Sequence, residues 1–406
     1  MINIAVAQSG GPTCAINASL AGVIREALSD DRIEKVFGSK NGIDGIINDN
    51  LVDLSEQVND EYSLGLLKCT PATLLGSCRI KLKPHCEDEA TYETIFRTFE
   101  KNNIKAFFYI GGNDSMDTVH KLSLYAAQKG IDVKVVGIPK TIDNDVAITD
   151  HTPGYGSAAK YIATTVSEII KDSSVYNLKS VTIIEIMGRD AGWLTASSAL
   201  PRVNGQPAPQ LIYLPEVPFS IDKFINDINK LHETENSVVV AVSEGLKDES
   251  GQYAASGHLS EAVDVFGHKY LAGLGKFLET VVSGRIGCKV RSIELNVMQR
   301  CSSHLSSGTD LDEAETVGRE AVKASFNGVT GKMMVFKRVS TSPYEIKVES
   351  CDISLIANKE KLFPLEWITE DKNNVSDKAL DYILPLIQGE IITPTKNGLP
   401  IHLELK

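Results

Sequence analysis

Apolar runs of strand length alternate with helix-like segments along most of the chain. The run NIAVAQ at 3–8 precedes the helical pattern AINASLAGVIREAL, and KAFFYIGG at 105–112 precedes SMDTVHKLSLYAAQKG. Similar runs follow at VKVVGIPK, SVTIIEIMG, PQLIYLP, SVVVAVSEG and SIELNVM. Near-continuous Val and Ile runs bounded by Gly are typical of strands that are buried on both faces. The pattern therefore predicts an α/β protein with mostly parallel sheets covered by helices.

Loop-rich stretches indicate the domain boundaries. DNDVAITDHTPGYGS predicts a change of domain near residue 150, and SSGTDLDEAE opens a helix for which Asp310 is the expected N-cap and Glu313 its capping-box partner. Further on, KMMVFKR and YEIKVES alternate like the strands of a hairpin. We therefore predict two Rossmann-like three-layer domains, at 1–150 and 151–308. A C-terminal extension at 309–406 is expected to pack back on the core.

Composition and charge narrow the class of protein. The 406 residues are 42% hydrophobic and 23% charged, as in soluble globular proteins, and no apolar run approaches the roughly 18 residues that span a membrane. The chain enters a strand without a basic leader, so we expect a cytoplasmic protein. Its net charge of -12 disfavours nonspecific binding to nucleic acid. Seven cysteines without CxxC or Cys/His spacing indicate neither a disulfide framework nor a zinc site.

Residues just after each predicted strand are candidates for ligand binding, because open parallel sheets bind ligands at the carboxyl ends of their strands. Two Gly-rich turns that each open a helix resemble phosphate cradles formed by backbone N–H groups, although each alone could be a simple turn. The candidates combine glycines, hydroxyls, carboxylates and cations, and they are Gly10, Gly11, Gly111–Ser115, Lys140–Asp145, Met187–Arg189, Glu244 and Arg300.

The stretch PKTIDND is the least typical of a plain surface loop. Two Asp, an Asn, a Thr and a Lys follow an apolar strand, which is consistent with a general base beside a group that helps to hold Mg²⁺. Arg189 alone could be a surface charge, and Trp193 is expected in the core. The histidines show no ligand spacing and are interpreted as structural or surface residues, namely His151, His258 and His304.

Several motifs together resemble one known family. SGG, GSCR, GGNDS, PKTIDND, MGRDAGW, SEG and QR, in this order and spacing, are similar to the 6-phosphofructokinase family over residues 2–330. The resemblance implies that Asp143 is the base for the sugar 1-hydroxyl, with Thr141 and Asp145 as loop partners. It also implies that Arg189 lies near the transferred phosphoryl group.

The same resemblance assigns binding roles to further residues. The implied donor-binding residues are Gly10, Gly11, Arg79, Gly112, Asp114, Ser115 and Lys140. The implied residues for fructose 6-phosphate are Thr141, Asp143, Asp145, Met187, Gly188, Arg189, Glu244, Arg291 and Arg300. Because the counterpart of Arg291 usually comes from a neighbouring subunit, a homodimer or homotetramer with active sites near subunit interfaces is expected.

Two charged positions indicate the phosphoryl donor. ATP-using members of the family have Gly at the positions of Asp114 and Lys140, and charged residues there resemble the pyrophosphate-dependent branch. The Asp114 carboxylate would repel the α-phosphate of a nucleotide, whereas the Lys140 ammonium would neutralise pyrophosphate and the departing phosphate. We therefore expect a reversible transfer from pyrophosphate to fructose 6-phosphate that gives fructose 1,6-bisphosphate and phosphate.

Departures from the family pattern leave alternatives open. Asn113 replaces an Asp that binds Mg²⁺ in many members, so Asp114 is the candidate metal ligand and Asn113, whose neutral amide oxygen binds a hard cation more weakly, is the weaker candidate. Ser180 and Val297 stand where an arginine and a histidine are common. The alternatives are an ATP-dependent enzyme, a non-catalytic regulatory subunit, or sedoheptulose 7-phosphate as a further acceptor. A silent subunit would be expected to lack Asp143 or Arg189, and this chain has both.

Overall fold

A computed structural model describes residues 1–256, 273–356 and 359–406, and His258 lies outside them. Thirteen strands form within these ranges. They are β1 (Ile2–Gln8), β2 (Ile33–Ser39), β3 (Leu51–Asp53), β4 (Ile104–Gly111), β5 (Lys134–Pro139), β6 (Ser180–Ile186), β7 (Leu211–Tyr213), β8 (Ser237–Ser243), β9 (Lys289–Glu294), β10 (Lys332–Thr341), β11 (Tyr344–Asp352), β12 (Thr395–Lys396) and β13 (Leu399–Pro400).

Helices connect most of these strands. In the described ranges they are α1 (Ile16–Leu28), α2 (Ile43–Ile47), α3 (Leu54–Gln57), α4 (Glu61–Cys69), α5 (Glu89–Lys101), α6 (Asn113–Lys129), α7 (Tyr155–Ser173), α8 (Trp193–Ser197), α9 (Ile221–Leu231), α10 (Leu274–Ile286), α11 (Met298–Cys301), α12 (Gly308–Phe326) and α13 (Asp377–Ile383). Short 3₁₀ turns add Leu200–Asn204, Ser303–Leu305, Ile353–Leu355, Leu365–Trp367 and Leu384–Ile387.

The first compact unit comprises residues 1–157, 300–361 and 387–406. Its seven-stranded sheet has the order β11-β10-β5-β4-β1-β2-β3. The five strands from β10 to β2 are parallel, and β11 and β3 pair antiparallel at the two edges. Along β1, Ile4 and Val6 face one apolar cluster, and Ala5 and Ala7 face another on the opposite side. Burial on both faces explains why this strand reads as a continuous apolar run.

The second unit comprises residues 158–299 and 362–386. Its sheet has four parallel strands in the order β7-β8-β6-β9, and its core includes Ile183, Val240, Phe224 and Leu278. The α/β class with mostly parallel sheets is confirmed.

The two units are discontinuous along the chain, unlike the three consecutive segments 1–150, 151–308 and 309–406. The chain passes into the second unit after Ser157, inside α7 and at the end of the stretch DNDVAITDHTPGYGS. The predicted hairpin is present as β10–β11 and joins the first sheet through β5. The C-terminal segment is divided between the units, because 362–386 packs with the second sheet and the rest with the first.

Three local predictions need correction. The strand β2 was not predicted, because Glu34 and Lys35 interrupt its apolar run. The strand predicted at 292–298 is β9, which begins earlier and ends at Glu294. The N-cap of α12 is Ser307, whose Oγ accepts from the Asp310 backbone N–H. The Asp310 carboxylate, one turn into the helix, instead accepts from the Ser157 backbone N–H.

Candidate active site

Two side chains donate hydrogen bonds to the backbone carbonyls of the turn after β1. Gly10 has φ 79°, a conformation that favours glycine. The Ser77 hydroxyl donates to the Gly10 carbonyl at 2.8 Å, and Lys140 Nζ donates to the Gly11 carbonyl at 2.7 Å. A Cβ on Gly10 would lie 3.1 Å from Lys140 Nζ, so a side chain there would crowd the ammonium. The turn thus brings Gly10, Gly11 and Lys140 together.

The turn after β4 forms the N-terminus of α6. Gly112 is the N-cap and no side chain caps the helix, so backbone N–H groups of the first turn remain available for an anion. A Cβ on Gly111 would lie 2.0 Å from Ser115 Oγ, so glycine allows buried Ser115 to pack against the strand end. The predicted donor residues Gly112 and Ser115 therefore lie at a helix terminus suited to phosphate.

Two polar side chains in the first turn of α6 differ in their environment. Asn113 Oδ1 is buried and has no hydrogen-bond partner among the described residues. Asp114 is about half exposed, and its Oδ1 lies 3.5 Å from Lys81 Nζ. A carboxylate at this position adds negative charge beside the N–H groups that would receive a phosphate.

Lys140 is a buried cation at the end of β5. Its side chain is only 2% exposed. The pKa of Lys140 is lowered to about 8, mainly by burial. The negative charges of Asp143 and Asp145 oppose this decrease, and the positive charge of Arg300 adds to it. The ammonium form is therefore still favoured at neutral pH, and a cation with incomplete charge compensation is well suited to attract an anionic ligand.

The loop after Lys140 is stabilised by hydrogen bonds that the chain makes to itself. Thr141 Oγ1 accepts from the Asp143 backbone N–H at 3.1 Å. Asn144 is fully buried at φ 55°, and its Oδ1 accepts from the Thr152 backbone N–H at 3.1 Å. Burial and the nearby charge of Asp143 raise the pKa of Asp145 to about 7. The loop thus holds two carboxylates, Asp143 and Asp145, close enough to influence each other.

Arg300 lies beside the first glycine turn. A Cβ on Gly11 would lie 3.5 Å from Arg300 Nη1, and the Arg300 charge lowers the pKa of Lys140. Arg79 is exposed and follows Ser77, which bonds the Gly10 carbonyl. The first unit therefore groups Arg300 with the predicted donor residues, in a position that the sequence alone did not indicate.

The second unit groups another set of predicted residues. The Gly188 backbone N–H donates to Glu244 Oε1 at 3.3 Å, and the Ser243 hydroxyl donates to the Gly188 carbonyl at 2.6 Å. A Cβ on Gly245 would lie 1.7 Å from the Arg189 carbonyl oxygen, so glycine is needed for the two strand-end loops to approach. Burial raises the pKa of Glu244 to about 7, opposed by the Gly188 hydrogen bond and the Arg189 charge.

Arg189 and Met187 complete this second group. Arg189 Nε is buried and has no hydrogen-bond partner in the part of the chain that the structure describes. The Met187 backbone N–H donates to Gln299 Oε1 at 3.2 Å. Met187, Gly188, Arg189 and Glu244 thus lie at the carboxyl ends of β6 and β8. This buried guanidinium N–H is therefore available to donate to a bound ligand or a water.

Arg291 is the exception within the second unit. It pairs with Thr182 in the register of β9 against β6, so it lies about 16 Å along the strands from the Met187 end. Its Nη1 is 3.3 Å from Asp172 Oδ2 on α7, and its side chain is about half exposed. Within one chain, Arg291 does not join the group around Glu244.

The sequence assigns no individual role to Asn144 of this loop or to Lys361, which contacts it. Asn144 lies inside the quoted PKTIDND motif, but its left-handed conformation and burial have no signal in the sequence. Lys361 Nζ donates to Asn144 Oδ1 at 3.1 Å, although the two residues are 217 positions apart in the sequence. No periodicity or motif could have placed it there.

The described ranges lack two further features. They contain no group of three or more His, Cys, Asp or Glu side chains able to hold a metal ion. None of their helices combines the length and apolarity needed to cross a membrane.

Comparison with known proteins supports the grouping of motifs. The Phosphofructokinase family model matches residues 3–325. The pyrophosphate–fructose 6-phosphate 1-phosphotransferase of Halomonas elongata is 39% identical over 401 residues, covering 98% of this chain and 94% of that protein. The protein of the same name from Xanthomonas campestris pv. campestris is 39% identical over 407 residues, covering 100% and 96%.

A solved structure is similar over the whole chain. The crystal structure of a pyrophosphate-dependent phosphofructokinase from Nitrosospira multiformis has a TM-score of 0.89 and 34% sequence identity, covering 100% of this chain and 96% of its own. The family match covers most of the chain, and the relatives align with it almost end to end. The chain therefore belongs to the phosphofructokinase family.

Proposed function

We propose that the protein is a pyrophosphate-dependent fructose 6-phosphate 1-phosphotransferase, which forms fructose 1,6-bisphosphate and phosphate reversibly. The observation that carries the proposal is the buried Lys140 ammonium on the Gly11 carbonyl, in a turn of phosphate-binding type. The names of the similar proteins from Halomonas and Xanthomonas support the same donor and acceptor. A small anion without a nucleoside needs such a local cation, because it makes few other contacts.

The donor would bind between the two glycine turns of the first unit. Backbone N–H groups of the Gly10–Gly11 turn and of the first turn of α6 would donate hydrogen bonds to the phosphate oxygens. Lys140 would neutralise charge on the phosphate that leaves. The buried Ser115 hydroxyl would add a donor at the start of α6, and exposed Arg79 would add donors at the rim. In phosphoryl transfer, positioning and charge neutralisation contribute more than covalent assistance.

Asp143 is the proposed general base. Its carboxylate would accept the proton of the acceptor 1-hydroxyl as that oxygen bonds to phosphorus and the bridging oxygen of pyrophosphate departs. Asp145 and Thr141 would hold the loop. Burial and the negative charge of Asp143 raise the pKa of Asp145, so the two carboxylates need not carry full charge together.

The second unit supplies the proposed acceptor residues. Glu244, Met187 and Gly188 would contact the sugar, and Arg189, with its unpartnered buried Nε, would donate to a phosphoryl oxygen. Arg300 remains a candidate for the 6-phosphate although it lies by Gly11, and Arg291 would serve a neighbouring copy in a homodimer or homotetramer. The oligomer is part of the proposal.

Mg²⁺ is the expected cofactor. It binds through one or two protein oxygens plus substrate phosphates and waters, so the lack of a three-ligand cluster among the described residues is compatible with it. Asn113 Oδ1, buried and unpartnered, and the Asp114 carboxylate in the same helical turn fit this role. When bound, Mg²⁺ would neutralise charge on the pyrophosphate oxygens.

Product formation tests the proposal. Purified protein with fructose 6-phosphate, pyrophosphate and Mg²⁺, free of nucleotides, should give fructose 1,6-bisphosphate in an aldolase-coupled assay, and the reverse reaction should release pyrophosphate. Turnover with ATP alone would favour the ATP-dependent alternative. An absence of turnover with either donor would favour a regulatory subunit. Parallel reactions with sedoheptulose 7-phosphate determine whether the acceptor site is selective.

A further inference from the structure

Lys361 belongs to a part of the chain that lies beyond the family match at 3–325. Its backbone N–H donates to the Asp145 carbonyl at 2.7 Å, and the adjacent Glu360 pairs antiparallel with Val146. The C-terminal extension therefore adds a short strand-like contact to the loop that carries Asp143.

The Lys361 side chain makes a second attachment to the same loop. Nζ donates to Asn144 Oδ1 at 3.1 Å, to the Thr149 carbonyl at 3.3 Å and to the Asp150 carbonyl at 2.7 Å. An ammonium has three N–H donors, so these acceptors match its capacity. One side chain thus links both ends of the segment 144–150.

The residue that receives this contact needs support. Asn144 is fully buried at φ 55°, in the left-handed region, which costs a non-glycine residue free energy unless its surroundings hold it. Its Oδ1 accepts from the Thr152 backbone N–H and from Lys361 Nζ. Asn144 directly follows Asp143, so a change in its backbone would redirect the proposed base.

We propose that Lys361 is a positioning residue for phosphoryl transfer, which fixes Asn144 and thereby the direction of the Asp143 carboxylate. The proposal rests on the proposed function. The charges around Lys361 are consistent with this role. Burial lowers the pKa of Lys361 to about 7, and the carboxylates of Asp150 and Asp145 act against this shift. The buried amine is held by the Asn144 amide oxygen and two backbone carbonyls, and the charges of Asp150 and Asp145 favour its protonated form.

The test compares Lys361→Met with Lys337→Met. The control lysine lies on β10 and is mostly exposed, and its described ion pair is with Glu349 at 3.7 Å and not with a residue of the loop. Steady-state kinetics per folded molecule should show kcat of Lys361→Met reduced about 10- to 100-fold, because small misplacements of catalytic groups cost about that much. KM for both substrates should change less than threefold, on the scale of a weak contact. Lys337→Met should match wild type.

Hydrogen exchange gives a readout independent of activity. Peptides covering 141–152 should exchange faster in Lys361→Met than in wild type or Lys337→Met, while peptides from β1 and β4 stay unchanged. Unchanged kcat, or unchanged exchange of 141–152 in a folded variant, would overturn the proposal. So would a loss confined to KM.

A milder change covers the case in which Lys361→Met does not fold. Lys361→Gln keeps two N–H donors without the charge and should give a smaller decrease of kcat with the same pattern of exchange. Wild-type turnover separates the two levels of inference. An inactive wild type contradicts the proposed function, whereas an active wild type with a fully active, folded Lys361 variant contradicts only the role of Lys361.

Discussion

At the residue scale, the candidate chemistry depends on charges held where solvent cannot compensate them. Burial brings the pKa of Lys140 down to about 8 and that of Asp145 up to about 7. The sequence identified both residues by their place after a strand. It could not predict these pKa directions, because they depend on burial and on neighbours such as Arg300 that are distant in sequence.

If Asp143 is the general base, its replacement should slow phosphoryl transfer without weakening substrate binding. Asp143→Ser should decrease kcat by about 10²-fold or more, within the range that general bases contribute, with little change in KM for fructose 6-phosphate. Asp132→Ser, at a mostly exposed carboxylate that pairs only with Lys134 among the described contacts, is the matched control. An Asp143→Ser enzyme retaining a third of wild-type kcat would remove Asp143 from this role.

At the element scale, the C-terminal hairpin and α12 are joined by a buried polar network. His151 is 2% exposed, with Nδ1 2.9 Å from Asp150 Oδ2 and Nε2 2.6 Å from Glu313 Oε2. The Tyr344 hydroxyl on β11 donates to Glu313, and Arg338 on β10 pairs with Asp150. His151 was expected to be structural or at the surface, and the structure shows the former. The interpretation of Glu313 as a capping residue was wrong, because its carboxylate pairs with His151 instead.

The network predicts a pH-dependent stability. Burial alone would lower the pKa of His151, but Glu313 and Asp150 raise it to about 9. Because this exceeds the ordinary value, protonated His151 should stabilise the fold fully below about pH 6.5, with the effect lost as pH rises towards about 9. The contribution is on the order of 3 kcal/mol, since each pKa unit corresponds to about 1.4 kcal/mol.

Urea unfolding at fixed protein concentration checks this prediction. The difference in unfolding free energy between wild type and His151→Gln should be largest near pH 6.5 and should shrink steadily up to about pH 9.5. A difference that stays constant or grows over this interval would show that His151 is neutral in the folded protein.

At the scale of the whole molecule, the sequence predicted the α/β fold class and the grouping of candidate residues at the strand ends. It was less successful with the division of the chain into structural units. The strands β4 and β8 were predictable because continuous apolar runs report burial on both faces. β2 was not, since charged residues occupy its exposed end. The discontinuous units, the entry of β10 into the first sheet and the approach of Lys361 to Asn144 arise from contacts between distant segments. Local patterns carry no information on such contacts.

Donor choice is the central claim, and it predicts opposite effects on two donors. The charged residues Asp114 and Lys140 should exclude nucleotides and serve pyrophosphate, respectively. The two positions lie near the same proposed donor, so their effects need not be additive. Asp114→Gly removes repulsion near a nucleotide α-phosphate, and Lys140→Met removes the ammonium while keeping most of the side-chain volume.

The most direct measurement is kcat/KM for pyrophosphate and for ATP in wild type, in each single variant and in the variant with Gly at both positions. We predict that wild type strongly prefers pyrophosphate, that Lys140→Met loses most pyrophosphate-dependent turnover, and that Asp114→Gly gains weak ATP-dependent turnover. The double-Gly variant should gain more ATP turnover than Asp114→Gly. Full pyrophosphate activity in Lys140→Met, or a wild type that prefers ATP, would contradict the account.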